Sequence, residues 1–306
     1  MGHILEPISG VTHILGSHEV LGRSRGSSIR VDHGSVSATH AVLQWSGMAW
    51  VLRDAASLNG TRVDGRVVGP GDALPLREGS QIVLGDAPAL VLRDAGPPVP
   101  FARDEDDVLV VGKGGVLALG DAEEPTVVVV AEPRRQRWWA ERADHRAPVE
   151  DGDIVEVDGT RWRLRLPELL EPTARLDDRV LLREFSAELV VSRDQEHVDI
   201  TLHCGPRRWL LEPRSHHYTL YVLARARLDD AGRGIAASEQ GWVHRDDLLR
   251  QLRISQNLLH THIFRARREV AALGVPDAPD VIERRETGQL RLGFVDVDIT
   301  DQARPT

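Results

Sequence analysis

Over the first 95 residues, apolar and polar positions alternate in short runs. Residues 28–32, 41–45, 49–53, 81–84 and 89–93 are such runs, with Gly, Asp, Asn and Pro closing each after a few residues. A period of two puts every second side chain on one face of an extended chain, so each run predicts a strand with one buried face. No helical period of useful length interrupts them. Many short strands separated by turn residues predict an all-β sandwich or barrel.

The pattern breaks at Gly96-Pro97-Pro98-Val99-Pro100, and an acidic cluster at 104–107 follows. Proline and glycine at this density stiffen and end an element, which places a domain boundary here. Strand patterns resume at 108–111, 116–119, 127–131, 136–141, 154–157 and 162–166. The run 126–131 is the longest apolar one and far too short to span a bilayer. In Arg134-Arg135-Gln136-Arg137-Trp138-Trp139, cations beside aromatics read as a strand whose tryptophans pack inward. Arg77-Glu78-Gly79-Ser80-Gln81-Ile82-Val83-Leu84 resembles Glu150-Asp151-Gly152-Asp153-Ile154-Val155-Glu156-Val157. That likeness fits either a degenerate second copy of the first fold or a hairpin that any two β-domains can share.

Beyond residue 180 the periodicity changes. Strand patterns at 187–192, 197–202 and 208–212 give way to helical ones at 215–228, 245–252 and 255–273, and two strands at 281–285 and 289–295 flank Thr287-Gly288. A short sheet, three helices and a hairpin follow the order of a winged helix with an N-terminal sheet. The expected architecture is therefore multidomain: an all-β sandwich over 1–95, a β-rich module over 104–170, and an α/β winged helix over 180–298.

Length agrees, since 306 residues suffice for two or three domains. The net charge of −9 argues against nucleic-acid binding by the molecule as a whole, leaving only a local basic surface for that purpose. With Cys204 as the single cysteine, no intramolecular disulfide can form, and the opening residues have neither a basic stretch nor a long apolar run. A cytoplasmic, membrane-free protein is expected. His216-His217 and His260/His262 are spaced by one and two, which puts neither pair on one helix face, so no metal site is expected. Gly112-Lys113-Gly114-Gly115 lacks the rest of a nucleotide loop. No nucleophile and base converge in the pattern, so neither a cofactor nor an enzymatic activity is expected.

One set of turn residues carries chemistry. Gly22-Arg23-Ser24, Ser37-Ala38-Thr39-His40-Ala41 and Ser57-Leu58-Asn59-Gly60-Thr61 place a guanidinium, short hydroxyls and a side-chain amide at turns of the β region. A phosphate ester carries about −1.5 to −2 charges and three acceptor oxygens. A planar guanidinium fork binds two of those oxygens at once, and each charge-assisted hydrogen bond is worth about 1.5–3 kcal/mol. The three segments, in this order and spacing, resemble the forkhead-associated (FHA) family, which reads phosphothreonine in partner proteins. The resemblance covers about the first third of the chain. It implies that Arg23 and Ser37, with Ser24 and Thr39 beside them, hold the phosphate. It also implies that Asn59 holds the partner's backbone, that His40 and Gly60 brace the loops, and that Gly22 lets the chain turn away before Arg23. The implied partner is a phosphothreonine-containing protein, a Ser/Thr kinase or its substrate. Family members often carry a polar or basic residue where Ala38 stands and Thr or Ser where Leu58 stands, with Arg25 and Arg30 close enough to compensate.

A second, softer resemblance lies near the other end. His262-Ile263-Phe264-Arg265-Ala266-Arg267-Arg268 resembles the recognition helix of the OmpR-type winged-helix family. The stretch from Glu283 to Leu292 resembles its wing, and Gly241-Trp242-Val243-His244 its approach to the middle helix. At helical spacing Leu259, Ile263, Ala266, Val270 and Leu273 form one apolar stripe, and Asn257, Thr261, Phe264, Arg265 and Arg268 lie opposite. The resemblance implies a transcription regulator touching double-stranded DNA through Asn257, Thr261, Arg265, Arg268, Arg284 and Arg285. Acidic neighbours such as Asp246, Asp247, Glu283 and Glu286 would repel phosphates and keep open the alternative, an adaptor whose winged helix grips protein. On that reading Phe264 is an exposed interface anchor.

Overall fold

The computed structural model describes residues 1–69, 71–169, 180–192 and 197–301. The sequence boundary between 170 and 180 falls outside them. The chain divides into two compact units. One is Met1–Phe101 with the short segment that begins at Leu164; the other is Ala102–Arg163 with the chain that follows that segment.

The first unit is all β. A six-stranded sheet orders its strands Thr12–Ile14, His3–Leu5, Leu90–Asp94, Gln81–Leu84, Thr61–Val63 and Arg66–Val67. A five-stranded sheet runs Ile29–Arg30, His18–Gly22, Ala41–Trp45, Trp50–Asp54 and Leu74–Pro75. Both have an apolar inner face made by the alternation that predicted them. Leu21, Ala41, Leu43, Trp50 and Leu52 from one sheet and Ile4, Ile82, Leu84 and Leu92 from the other are buried in one cluster. Trp50 spans the core edge-on to Trp45, and its indole N–H donates to the Gly96 carbonyl at 2.9 Å. That bond satisfies the polar end of a fully buried ring.

The second unit begins with two four-stranded sheets. One orders Leu109–Val111, Phe101–Arg103, Thr160–Arg165 and Ile154–Val157; the other orders Val116–Gly120, Pro125–Glu132, Arg137–Glu141 and Arg146–Val149. Pro125–Glu132 explains the long apolar run: Val127, Val128, Val129, Val130 and Ala131 are all buried, as in a central strand covered on both faces. Trp138 and Trp139 are buried as expected, and Arg146 stacks on the Trp139 ring with its guanidinium carbon 4.1 Å from the centroid. Arg146–Val149 was not foreseen, since Pro148 depresses strand propensity; the strand lies at a sheet edge, where the missing N–H costs least.

The two similar Gly-containing segments form the same turn. Ser80 N–H donates to the Arg77 carbonyl at 3.0 Å while its hydroxyl accepts from Arg77 N–H at 3.2 Å. Asp153 repeats both bonds with Glu150, at 3.2 and 2.8 Å. Gly79 and Gly152 both take φ near +85 to +89° between them.

The rest of the unit holds a four-stranded sheet ordered Arg207–Leu211, Val198–Cys204, Ser186–Val191 and Asp296–Asp301, the last pair parallel. Three helices follow the first three of these strands: α1 (His217–Gly232), α2 (Arg245–Leu252) and α3 (Gln256–Ala272). A three-stranded sheet of Val243–His244, Gln289–Leu292 and Ile282–Arg284 completes the region. The Ser255 hydroxyl caps α3 by accepting from Leu258 N–H at 3.2 Å. Leu259, Ile263, Ala266 and Val270 join the core with Leu220, Leu223 and Leu248, and Leu273 packs against it. No helix among the described residues is long and apolar enough to cross a membrane.

Candidate functional site

Three loops of the first unit meet at one end of its sheets. The strand His18–Gly22 ends beside the segment 35–40, with Arg23 N–H donating to the Ser37 carbonyl at 2.9 Å and Ser24 N–H to the Ala38 carbonyl at 3.1 Å. Gly22 matters here through clearance rather than through a turn in its own backbone. A Cβ on it would lie 2.2 Å from the Ala38 carbonyl oxygen, so only glycine lets the two segments approach. Gly60 differs: its φ of +73° is left-handed, and the space beside it is open.

His40 ties the loops from within. It is fully buried. Its Nδ1 accepts from Ser37 N–H at 3.0 Å, which leaves Nε2–H to donate to the Gly60 carbonyl at 3.1 Å. These two partners specify one neutral tautomer. The Asn59 amide donates to the Ser35 carbonyl at 2.8 Å, and Leu58 N–H donates to the Ser37 hydroxyl oxygen at 3.1 Å. With Ala55 N–H donating to the His40 carbonyl at 2.9 Å, the loop 55–60 is sewn to the loop 35–40 at four points.

Asp54 was not singled out in the sequence, yet it organises the same loop. Its carboxylate accepts from Ser57 N–H at 2.8 Å, Ser57 Oγ at 2.7 Å and Thr61 Oγ1 at 2.5 Å. Burial pushes its pKa upward, but the bonds from Thr61 and Ser57 outweigh it and hold the carboxyl below its usual range. The signal was present: an Asp three residues ahead of a Ser at a strand end is a local Asx-type turn. Ser35 was also missed; its hydroxyl accepts from Asp86 N–H at 2.8 Å and its carbonyl receives Asn59.

With the frame so braced, the groups left over are donors. Arg23, Ser24, Thr39 and Asn59 are exposed and Ser37 is half-buried. The Arg23 and Arg25 guanidinium groups have no hydrogen-bond or ion-pair partner among the described residues, whereas Arg30 pairs with Asp32 at 2.9 Å. The oxygens of Ser37 and Ser24 each accept a backbone N–H, from Leu58 and Gly26, so both hydroxyl hydrogens point elsewhere. Unpaired cationic and hydroxyl donors on a rigid loop frame suit an anion.

The DNA-reading set is placed very differently. Phe264, expected on an outward face, is buried among Val116, Val128, Val130 and Trp139 of the adjoining sheet. Local periodicity gives the faces of a helix but not their occupants, and α3 is covered on both sides. Thr261 is buried. Arg268 makes a two-pronged contact with Glu123 at 2.8 and 2.9 Å, and Arg265 faces Glu124 at 3.8 Å. Arg284 is 3.5 Å from Glu141, and Arg285 is paired with Glu239 while stacked on Trp242. Asn257 is exposed. Arg267, outside the expected set, makes the strongest contact: its guanidinium donates to Glu141 at 2.7 Å with both groups buried. Burial alone would raise the Glu141 pKa, but Arg267 and Arg284 bring it down to about 2.

Comparison with known proteins bears on the first unit. The family model for the FHA domain matches residues 20–85. No curated protein matches the chain. Among solved structures, the FhaA FHA domain complexed with the intracellular domain of Rv3910 is 28% identical, covering 30% of this chain and 100% of that one, with a TM-score of 0.28. An FHA domain studied for phosphothreonine-dependent interactions is 26% identical over 32% of this chain and 100% of that one, with a TM-score of 0.28. Mycobacterium tuberculosis EmbR in complex with a low-affinity phosphopeptide is 24% identical over 31% of this chain, with a TM-score of 0.29, and only 25% of its own length is covered. Residues 20–85, which hold the loops just described, are an FHA domain.

Proposed function

We propose that this protein is a phosphothreonine-dependent adaptor. Its first unit captures a phosphorylated partner, a Ser/Thr kinase or a substrate of one, with Arg23 and Ser37 on the phosphate and Asn59 on the peptide backbone. Ser24 and Thr39 add donors at the rim. The observation that carries this reading is the split in hydrogen bonding at the site. The bracing groups are paired within the protein, while the Arg23 guanidinium and the Ser37 hydroxyl hydrogen have no partner among the described residues and are left for a ligand. The test is fluorescence anisotropy of the full chain against a degenerate phosphothreonine peptide pool and its unphosphorylated twin. Phosphate-dependent binding that Arg23→Ala removes is expected; equal binding of both pools overturns the reading.

For the C-terminal region, taken as a winged helix over 180–298, we favour protein docking over DNA reading. What supports this order is the state of α3: Phe264 and Arg267 are buried against strands of the adjoining β-module, and Arg265, Arg268 and Arg284 face carboxylates. A groove-reading helix needs those cations free for phosphates and base edges. Transcription regulation through double-stranded DNA stays as the second reading, supported by the order of three helices and a hairpin. It requires the α3 face to come away from the sheet. A salt-dependent shift of random duplex DNA by the full chain, lost in Arg265→Ala, would reverse the preference.

A further inference from the structure

His216 and His217 are neighbours in sequence, which speaks against a shared ligand on a regular helix face. The fold removes that objection. His216 is the residue before α1 and His217 its first, so both rings sit at the helix start and turn toward Glu269 on α3. The third member comes from more than fifty residues away, where no local spacing could reveal it. Both histidines are buried, and Glu269 is partly open.

The donor and acceptor pattern is incomplete as it stands. His217 Nδ1 lies 3.2 Å from the Val198 carbonyl, an acceptor only, so Nδ1 carries the ring hydrogen. That leaves a lone pair on Nε2, which points at Glu269 Oε2 from 2.9 Å. His216 Nε2 points at the same oxygen from 3.1 Å, and its Nδ1 is buried without a partner. A carboxylate has nothing to donate, so one further proton or a cation has to lie among these three atoms, which are all within 4.8 Å of one another.

We propose that His216, His217 and Glu269 bind a divalent transition-metal ion of the zinc class, tying the start of α1 to α3. The donor set is two imidazole nitrogens and one carboxylate, a recurring one for zinc with a fourth position left to water. Tetrahedral zinc at its usual bond lengths separates ligand atoms by about 3.3 Å, so each histidine nitrogen needs to part from the Glu269 oxygen by only a few tenths of an ångström. The hydrogen bond from His217 Nδ1 to a backbone carbonyl is the outer contact that fixes a metal-binding ring and its tautomer. Two other groups border the site. The His262 ring centroid is 6.5 Å from that of His216, with Nδ1 held by Thr219 at 2.9 Å. Arg265, one turn before Glu269, faces the Glu124 carboxylate, which offsets its charge.

The rival occupant is a proton, which would make one ring an imidazolium and the cluster a plain ion pair. Zinc alone, added to chelator-stripped full chain, separates the two. Competition against a chromophoric chelator and elemental analysis after desalting should give one tightly held zinc per chain, and zinc should raise the unfolding midpoint. Glu269→Gln, close to isosteric, should weaken that zinc by at least 100-fold and remove the midpoint shift. His216→Asn is the second variant should Glu269→Gln fail to fold. Stripped wild-type protein that takes up no zinc overturns the proposal. So does stoichiometric zinc held equally by the wild type and either folded variant, because the ion then sits elsewhere.

Discussion

Two regions of this molecule are rich in arginine, and they use it in opposite ways. In the first unit, Arg23 and Arg25 sit on an exposed loop without side-chain partners among the described residues, while the neutral groups around them are bonded to each other. On α3 and the hairpin of the second unit, Arg267, Arg268, Arg284 and Arg285 each meet a carboxylate. A sequence counts cations equally in both places. What separates a ligand site from a structural seam is whether the protein supplies the counter-charge itself. Glu141 does so in the second region, fully enclosed and shared by two guanidinium groups. Among the described residues no carboxylate pairs with Arg23.

The contrast predicts that the same mutation has different readouts in the two places. The largest effect belongs to the seam. Glu141→Ala leaves the buried Arg267 without its charge partner, and breaking such a pair costs about 3–5 kcal/mol. Urea unfolding of the full chain should therefore lose the stability of the second unit, while phosphopeptide affinity stays within twofold. An affinity that fell in step with the unfolding midpoint would show that the two regions are not energetically separate.

Next in size is Arg23→Ala. Two charge-assisted bonds to a phosphate, at about 1.5 kcal/mol or more each, correspond to a loss of at least 100-fold in affinity. The unfolding midpoint should not move, since the Arg23 side chain bonds to none of the described residues. A lowered midpoint would mean that Arg23 is part of the frame rather than of the site.

Acid should act on one region through a known group. The Glu141 carboxyl is held at about 2 in the folded protein, below its ordinary 4.5. A depressed carboxylate contributes stability that is fully present above the unfolded value and is lost as pH falls through the folded one. The difference in stability between wild type and Glu141→Gln should be constant from pH 7 down to about 5. It should then shrink steadily between about 4.5 and 2. A difference that held its size across that window would mean that Glu141 is not ionised in the fold.

The comparison also explains what could be read from the chain alone. That Arg23, Ser37, His40, Asn59 and Gly60 come together was legible because they stand at turns of short strands, where the loops of a β-sandwich converge. The role of Gly22 was legible only in outline: that its missing Cβ admits the Ala38 carbonyl is a fact of two segments far apart in sequence. The covered face of α3 was not legible. Its apolar stripe was clear, but Phe264 and Arg267 find their partners in strands more than a hundred residues earlier. Asp296–Asp301 was overlooked for a different reason. Val297 and Ile299 alternate and pack on the core, but three charges and a Thr mask that pattern in a strand at a sheet edge.

The smallest expected effect tests how complete the proposed phosphate site is. Leu58 is 89% exposed between two residues of the site, and its N–H already bonds the Ser37 hydroxyl. Its side chain has no structural work in the free protein, so replacing it should leave the unfolding midpoint within about 0.5 kcal/mol. Leu58→Ser puts a hydroxyl where the resemblance places one in related domains. A single added hydrogen bond to a charged group, discounted for exposure, is worth up to about 1 kcal/mol, or roughly fivefold in phosphopeptide affinity. The gain should vanish in the Arg23→Ala background, where no phosphate is held for the new hydroxyl to reach. If Leu58→Ser instead weakens binding, the exposed leucine itself touches the peptide, and this domain gains through apolar contact what its relatives gain through a hydroxyl.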